Sequence, residues 1–332
     1  MRMYSETVVC ILEEFQGDTF NVVKGVPICT HERGAVFQNP SDFEGTWAVD
    51  LASFKKLMSK WPAGEELDFT IEDDKLKIKG NRRTAGLATR KPSIDNAEEI
   101  VEMLTRDMDR HPVTPELVEA LKVAKSCCAK GWELGNICCI HIKDRMLEAF
   151  NNDKAYRSPE LFDIDGEYAF EGKALPKGLE KFQEYAVLED EHAGLGFGML
   201  VFHGELVTQA VSLIEPDYPD IGMLFDNADA DIKVDMKPLS KILMDIHSVV
   251  SVFSDDMTIN FGEGSIQAGG ACETGYYKED HTIGGFEALG GRNINISIEA
   301  IKAILAKADF VSIFENRIVS DRMGHKYVAA MT

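Results

Sequence analysis

No stretch of this sequence runs to roughly eighteen apolar residues, so it offers no membrane-spanning helix. The opening MRMYSETVVCILEEF places acids beside its apolar run and has no small-residue cleavage site, which makes a poor signal peptide. The seven cysteines are odd in number and follow no spaced framework, the pattern of reduced thiols in a cytosol. Basic residues are in deficit too: 35 Lys+Arg face 56 Asp+Glu, a net charge of −21. Proteins that bind nucleic acid indiscriminately are basic, so any such contact here has to be local or enforced by geometry. No G-x-S-x-G, H-E-x-x-H or P-loop pattern occurs, and no catalytic constellation. These absences predict a cytoplasmic protein that is not an enzyme and carries neither cofactor nor metal.

What is present is a repeat. Five segments read as amphipathic helices bearing lysines: 53–61, 115–131, 172–186, 237–247 and 297–308. In the first, Phe54, Leu57, Met58 and Trp61 follow i, i+3, i+4, i+7, with Lys56 and Lys60 on the other side. A hairpin follows, with Leu67, Phe69 and Ile71 alternating out and Leu76 and Ile78 alternating back. The same order recurs with hairpins over 136–150, 196–212, 257–270 and 309–321. The third segment's Lys173, Lys177 and Lys181 fall at i, i+4, i+8, which predicts a single helical stripe. The central lysines Lys56, Lys122, Lys177, Lys237 and Lys302 recur about every sixty residues, too long a step for most solenoid families. The step fits a β-α-β-β-β unit, two of which make a domain.

Residues 1–45 hold the first unit's place without a lysine-bearing helix. TVVCILEEF and TFNVVKGVPICT read as strands, with Ser5 as a cap for a short helix the alternative. The pairing predicts three domains, 1–94, 112–226 and 229–332. Between the first two, 95–111 is a linker in which Ile100, Val101, Leu104 and Met108 allow an extra helix. A lysine on one amphipathic helix is ordinarily just its solvated face. Five in equivalent places suggest presentation to a polyanion, although Glu119, Glu180, Glu184 and Asp245 share these helices.

Three further patterns carry a family resemblance. Leu213-Ile214-Glu215-Pro216-Asp217-Tyr218-Pro219, Asn295-Ile296-Ser297-Ile298 and Tyr327-Val328-Ala329-Ala330-Met331 stand in order in the second and third domains. Together with the repeat they resemble the bacterial-type DNA sliding clamp, the beta subunit of the replicative DNA polymerase, over about 46–332. The divergence and the short first domain suit a phage version. The resemblance implies an α+β DNA-clamp fold, with helices lining a ring and sheets outside. It implies a head-to-tail homodimer that encircles double-stranded DNA as a processivity factor, in a bacterial cytoplasm or a phage-infected host. The DNA-facing positions are then Lys56, Lys60, Lys122, Lys125, Lys130, Trp132, Lys173, Lys177, Lys181, Lys237, Lys241 and Lys302. The resemblance also implies a pocket for short peptides of DNA polymerase and clamp loader. Its positions are Leu134, Asn152, Lys154, Ala155, Ile221, Met223, Ile298, Val328, Ala330 and Met331.

Other readings compete. A clamp-fold decoy would bind replication proteins without encircling DNA, which the weak first unit favours. Cys127, Cys128, Cys138, Cys139 and His141 suggest a thiol- or metal-dependent enzyme. Adjacent cysteines on a strand point to opposite faces, however, which favours core thiols over zinc ligands. Gly194, Gly196 and Gly198 resemble a nucleotide loop, yet Met199-Leu200-Val201-Phe202 continues as a strand. The acids and histidine of 189–192 read as a solvated loop.

Overall fold

The computed structural model describes residues 2–15, 17–31, 34–38, 43–130, 132–189, 198–214, 218–225 and 232–331. Six repeats run along the chain: five are of the β-α-β-β-β kind, and the fourth in order has no α-helix among its described residues. Repeat 1 is β1 (Arg2–Tyr4), α1 (Ser5–Glu14), β2 (Thr19–Val23), β3 (Val26–His31) and β4 (Gly34–Gln38). Repeat 2 is β5 (Trp47–Asp50), α2 (Leu51–Met58), β6 (Glu66–Glu72), β7 (Lys75–Lys79) and β8 (Thr84–Ala88). Helix α3 (Ala97–Leu104) lies in the connection. Repeat 3 is β9 (His111–Pro112), α4 (Pro115–Cys127), β10 (Cys139–Lys143), β11 (Met146–Phe150) and β12 (Lys154–Arg157). Repeat 4 is β13 (Tyr168–Glu171), β14 (Phe182–Leu188), β15 (Met199–Gly204) and β16 (Val207–Ser212). Repeat 5 is β17 (Ile232–Asp235), α5 (Lys237–Val250), β18 (Asp256–Phe261), β19 (Ser265–Cys272) and β20 (Gly275–Thr282). Repeat 6 is β21 (Asn293–Ser297), α6 (Ile298–Ala303), β22 (Phe310–Ile313), β23 (Arg317–Arg322) and β24 (His325–Ala330).

Each repeat lends its leading strand to a neighbouring repeat. The sheets run β1-β6-β7-β8, β5-β2-β3-β4-β16-β15-β14-β9, β13-β10-β11-β12-β24-β23-β22-β17 and β20-β19-β18-β21. Every half-sheet therefore has a leading strand at one end and the last strand of a meander at the other. Two antiparallel seams join last strands: β4 with β16, and β12 with β24. By contacts the chain forms two compact bodies, residues 1–113 with 176–213, and residues 114–175 with 214–332.

Local chemistry explains the elements. Asp50 caps α2 by accepting from the Ser53 N–H at 2.7 Å, and Thr114 caps α4 through the Leu117 N–H at 3.1 Å, with Pro115 in the first turn. Phe54 and Met58 of α2 are buried in the first body's core, each contributing about 1.5–3 kcal/mol. The hairpins β6–β7 and β10–β11 turn on two residues of positive φ, Asp73 and Asp74, and Asp144 and Arg145, as two-residue turns matched to strand twist require. Arg145 is held there by donating to the Phe162 carbonyl at 2.7 Å and the Asp163 carboxylate at 2.6 Å.

Two expectations fail. TVVCILEEF is not a strand but most of α1. Val8, Ile11, Leu12 and Phe15 are all buried at helical spacing, a stripe masked because Val8, Val9 and Ile11 are β-branched. Ser5 begins that helix and donates from Oγ to the Pro62 carbonyl at 2.7 Å. Residues 172–186 form no α-helix: single 3-10 turns at Gly172–Ala174 and Leu179–Lys181 lead directly into β14. Pro176 removes an amide donor and Gly178 takes φ 63°, so the chain cannot wind through. Lys173, Lys177 and Lys181 therefore do not share a helical stripe. The extra helix is present as α3, whose Ile100, Val101, Met103 and Leu104 are buried against β2, β3, β14 and β15 side chains. The hairpin within 196–212 is present as β15 and β16, turning at Glu205-Leu206.

Candidate nucleic-acid and peptide interfaces

In the second body, α4, the β11–β12 turn and α6 surround a cleft of about 740 Å³. Five of the lysines read as DNA-facing line it: Lys122, Lys125, Lys130, Lys173 and Lys302. Lys154 joins them, with Asp153, Asp255, Asp256 and Glu299 as counter-charges. Lys130 lies 3.2 Å from Asp255, and Lys302 lies 3.3 Å from Glu299. Ser297 Oγ accepts from the Ala300 N–H at 3.2 Å, which caps α6, and donates to Ser126 Oγ at 2.6 Å, which ties α6 to α4. The cleft is thus locally basic within a strongly acidic chain, suited to phosphate contacts that position without reading sequence.

The remaining lysines lie elsewhere. Lys56 and Lys60 are exposed on α2 and just after it, and Lys177 is exposed in the 3-10 segment. Lys181 sits over the Phe182 ring at 5.2 Å. Lys237 and Lys241 are exposed on α5, Lys237 lying 3.6 Å from Asp309. The side chains of Trp132 and Leu134 lie outside the described residues, as do 190–192, most of GLGFG and residues 215–217.

The positions read as a peptide pocket divide between two faces of one sheet. Ala155, Ile221 and Val328 converge with Phe225 and Val319 in an apolar cluster on the face away from α4, flanked by Phe150, Tyr218, Leu224 and Phe314. Met223, in the covering 3-10 turn Gly222–Phe225, is 78% exposed. Lys154 and Ile298 lie on the helix side and line the cleft instead. Neighbouring residues of a strand point to opposite faces, so Lys154 and Ala155 could not both line one pocket. Asn152 is exposed in the turn, where Asn151 Oδ1 accepts from the Asp153 and Lys154 N–H groups. The Ala330 N–H donates to the Asp153 carbonyl, and Met331 bridges to Ile294.

Behind the cluster, His141 stacks on Tyr218 with ring centroids 4.4 Å apart, and its Nε2 is 2.9 Å from Glu167. Arg157 donates from Nε to Glu148 at 2.5 Å and lies over the Phe225 ring at 4.8 Å. Burial alone would raise the Glu148 carboxyl, but His141 and Arg157 outweigh it and hold it below the usual carboxylate range. Burial likewise pushes the Tyr218 phenol up, so it remains a neutral ring. Phe150, Phe225, Val319 and Asp256 escaped the sequence reading, and Tyr218 entered it only as part of the 213–219 motif. Alternation on β11 and β23 could have found Phe150 and Val319, whereas the other three depend on connections crossing a sheet. Cys127, Cys138 and Cys139 are core residues and Cys128 is half-buried at the cleft. Burial pushes the Cys127 thiol up to about 12, and among the described residues no group of three or more His, Cys, Asp or Glu converges as a metal site.

Six repeats sewn in pairs into antiparallel sheets, each lending its leading strand to its neighbour and joined last strand to last strand, define the DNA-clamp fold, an α+β architecture. Solved structures that this chain resembles include DNA polymerase III beta subunits. The Helicobacter pylori beta clamp bound to a DNA ligase peptide matches with a TM-score of 0.66 at 13% identity, covering 100% of this chain and 99% of that one. The beta subunit of Streptococcus pyogenes DNA polymerase matches at 0.64 and 10%, over 100% and 99%. The Pseudomonas aeruginosa DNA polymerase III beta subunit matches at 0.61 and 13%, again over 100% and 99%. No protein-family model and no curated protein matches the sequence.

Proposed function

We propose that this chain is a sliding clamp: two copies join head to tail into a ring that encloses duplex DNA and tethers polymerase and other replication proteins. The observation that carries the reading is the seam pattern. In the four half-sheets that are joined, last strand meets last strand, β4 with β16 and β12 with β24. The two left at sheet ends are β8 and β20. A third seam, β8 to β20 of a second copy, makes a heterologous contact, which closes a ring if the rotation closes. β8, Thr84-Ala85-Gly86-Leu87-Ala88, has no charge or proline to block pairing, and its surroundings hold Arg82, Arg83, Arg90 and Lys91. β20 carries Glu279 and Asp280 against one lysine, Lys278, with Glu273 just before it, which leaves this edge net acidic. The two edges are therefore complementary in charge.

The lysine-lined cleft supports DNA on the helix side, and net charge keeps duplex off other surfaces. The apolar cluster around Ala155, Ile221 and Val328 is the docking face for partner peptides. Enclosure holds the DNA, so no chemistry and no tight binding are required. Protein loaded onto nicked circular DNA should stay with the circle and be released when the circle is cut to a linear form. Equal retention on both forms contradicts enclosure.

One observation favours a second reading. Helix α1 has no lysine and carries Glu6, Glu13 and Glu14, and repeat 4 has no α-helix among its described residues. A clamp-fold decoy would tolerate both. It predicts binding to clamp loader and polymerase with no complex that depends on circular DNA.

A further inference from the structure

On the sheet face that carries the apolar cluster, the strand register lines up one transverse row. Lys233 stands opposite Ser312, Ser312 opposite Val319, Val319 opposite Val328, and Val328 opposite Ala155. Cross-strand partners share a face. Ala155, Val328 and Val319 belong to the apolar cluster. Ser312 and Val319 also line a second hollow, of about 520 Å³, that holds the cations Lys233, Lys307 and Arg322. Two large apolar side chains stand exposed beside them, Phe310 at 58% and Met323 at 82%.

The hollow's acids are Asp309 and Asp321. Asp309 already lies 3.6 Å from Lys237, outside the hollow, while Lys307 lies 2.9 Å from Glu119. Lys233 is exposed at the end strand of the sheet. A locally basic, partly apolar hollow thus continues the cluster without a break, sharing Val319 with it.

We propose that a partner segment docked on the apolar cluster extends along this row into the hollow, and that it carries acidic side chains about four residues from its apolar anchor. This rests on the peptide docking proposed above. From Val328 to Lys233 is three strand steps, about 14 Å, which an extended segment covers in about four residues. Phe310 and Met323 offer the segment's flank an apolar surface, and Lys233 meets its carboxylates, while the Arg322 guanidinium is turned to donate to the Ala303 carbonyl at 3.0 Å. Exposed ion pairs are individually weak and screened by salt, so the extension tunes affinity and partner choice while the anchor supplies the main binding energy.

The test is selection of a random decapeptide library against the full-length protein, followed by fluorescence polarisation of the selected peptides. Selected sequences should share an apolar anchor with Asp or Glu enriched about four positions away. Replacing those acids with alanine should weaken binding about three- to tenfold, with a smaller loss at high salt. Lys233→Glu, a change at an exposed side chain, should cause the same loss, and lysine in the peptide should restore affinity for that variant. Anchored peptides without acid enrichment and indifferent to Lys233→Glu overturn the extension but leave docking on the cluster standing. Selected peptides whose binding survives both Ile221→Ala and Met223→Glu place docking elsewhere and overturn both.

Discussion

Lys154 and Asp256 form an ion pair at 2.6 Å in which the lysine side chain is only 4% exposed and the aspartate 27%. It ties the start of β12 to the start of β18, beside the exposed Lys130–Asp255 pair. A buried charge left without its partner is costly, whereas replacing both partners is often near neutral. Lys154→Met should therefore destabilise the protein by about 2–4 kcal/mol, and adding Asp256→Asn should recover much of that loss. Urea unfolding of the two singles and the double reads the coupling. Purely additive losses would show that the pair contributes no mutual stabilisation.

Lys122 and Lys302 line the same cleft from α4 and α6. Changing either to Gln should alter stability by no more than about 0.5 kcal/mol. On nicked circular DNA, each change should lower the slope of log affinity against log salt by about one for each phosphate that the variant no longer neutralises. A slope unchanged in the double variant removes this cleft from the DNA-facing surface.

The proposed third seam predicts charge complementarity between copies. Glu279→Arg with Asp280→Arg, both on β20, should weaken self-association at least about tenfold, because like charges then meet the exposed Arg82 and Lys91 beside β8. Arg82→Glu with Lys91→Glu in the same chain should restore it. Sedimentation equilibrium across a dilution series reads both effects, and association indifferent to either pair places the contact elsewhere.

His203 on β15 is buried, its Nδ1 3.3 Å from Thr208 Oγ1, and burial pushes its pKa down to about 4. An unfolded histidine titrates near 6.5, so below that pH the unfolded chain binds the additional proton. The contribution is complete above about pH 6.5 and is lost as pH falls towards 4, amounting to roughly 2–3 kcal/mol over the whole range. The urea midpoint should fall between pH 7.5 and 5, and His203→Gln should flatten that fall. An unchanged slope in the variant assigns the acid sensitivity to other groups.

Periodicity made the repeat legible because most hairpins alternate strictly and α2, α4 and α5 each keep one apolar face. It misled where two periods overlap. In α1 the residues Val8, Val9, Ile11 and Leu12 satisfy strand propensity while burying a helical stripe. In 172–186 the lysine spacing suggested a helix, but Pro176 and Gly178 are local breakers that outrank spacing. The split of the pocket positions was readable from the adjacency of Lys154 and Ala155. The roles of Tyr218, Phe225 and Asp256 were not, since each depends on a connection laid across a sheet that no local pattern encodes.

Whether β8 and β20 join two chains is most directly measured as solution mass by light scattering over a wide concentration range. A closed pair predicts twice the 36.9 kDa chain mass, persisting on dilution and showing no larger species. A single-chain mass at every concentration, or an open series of growing masses, would contradict it.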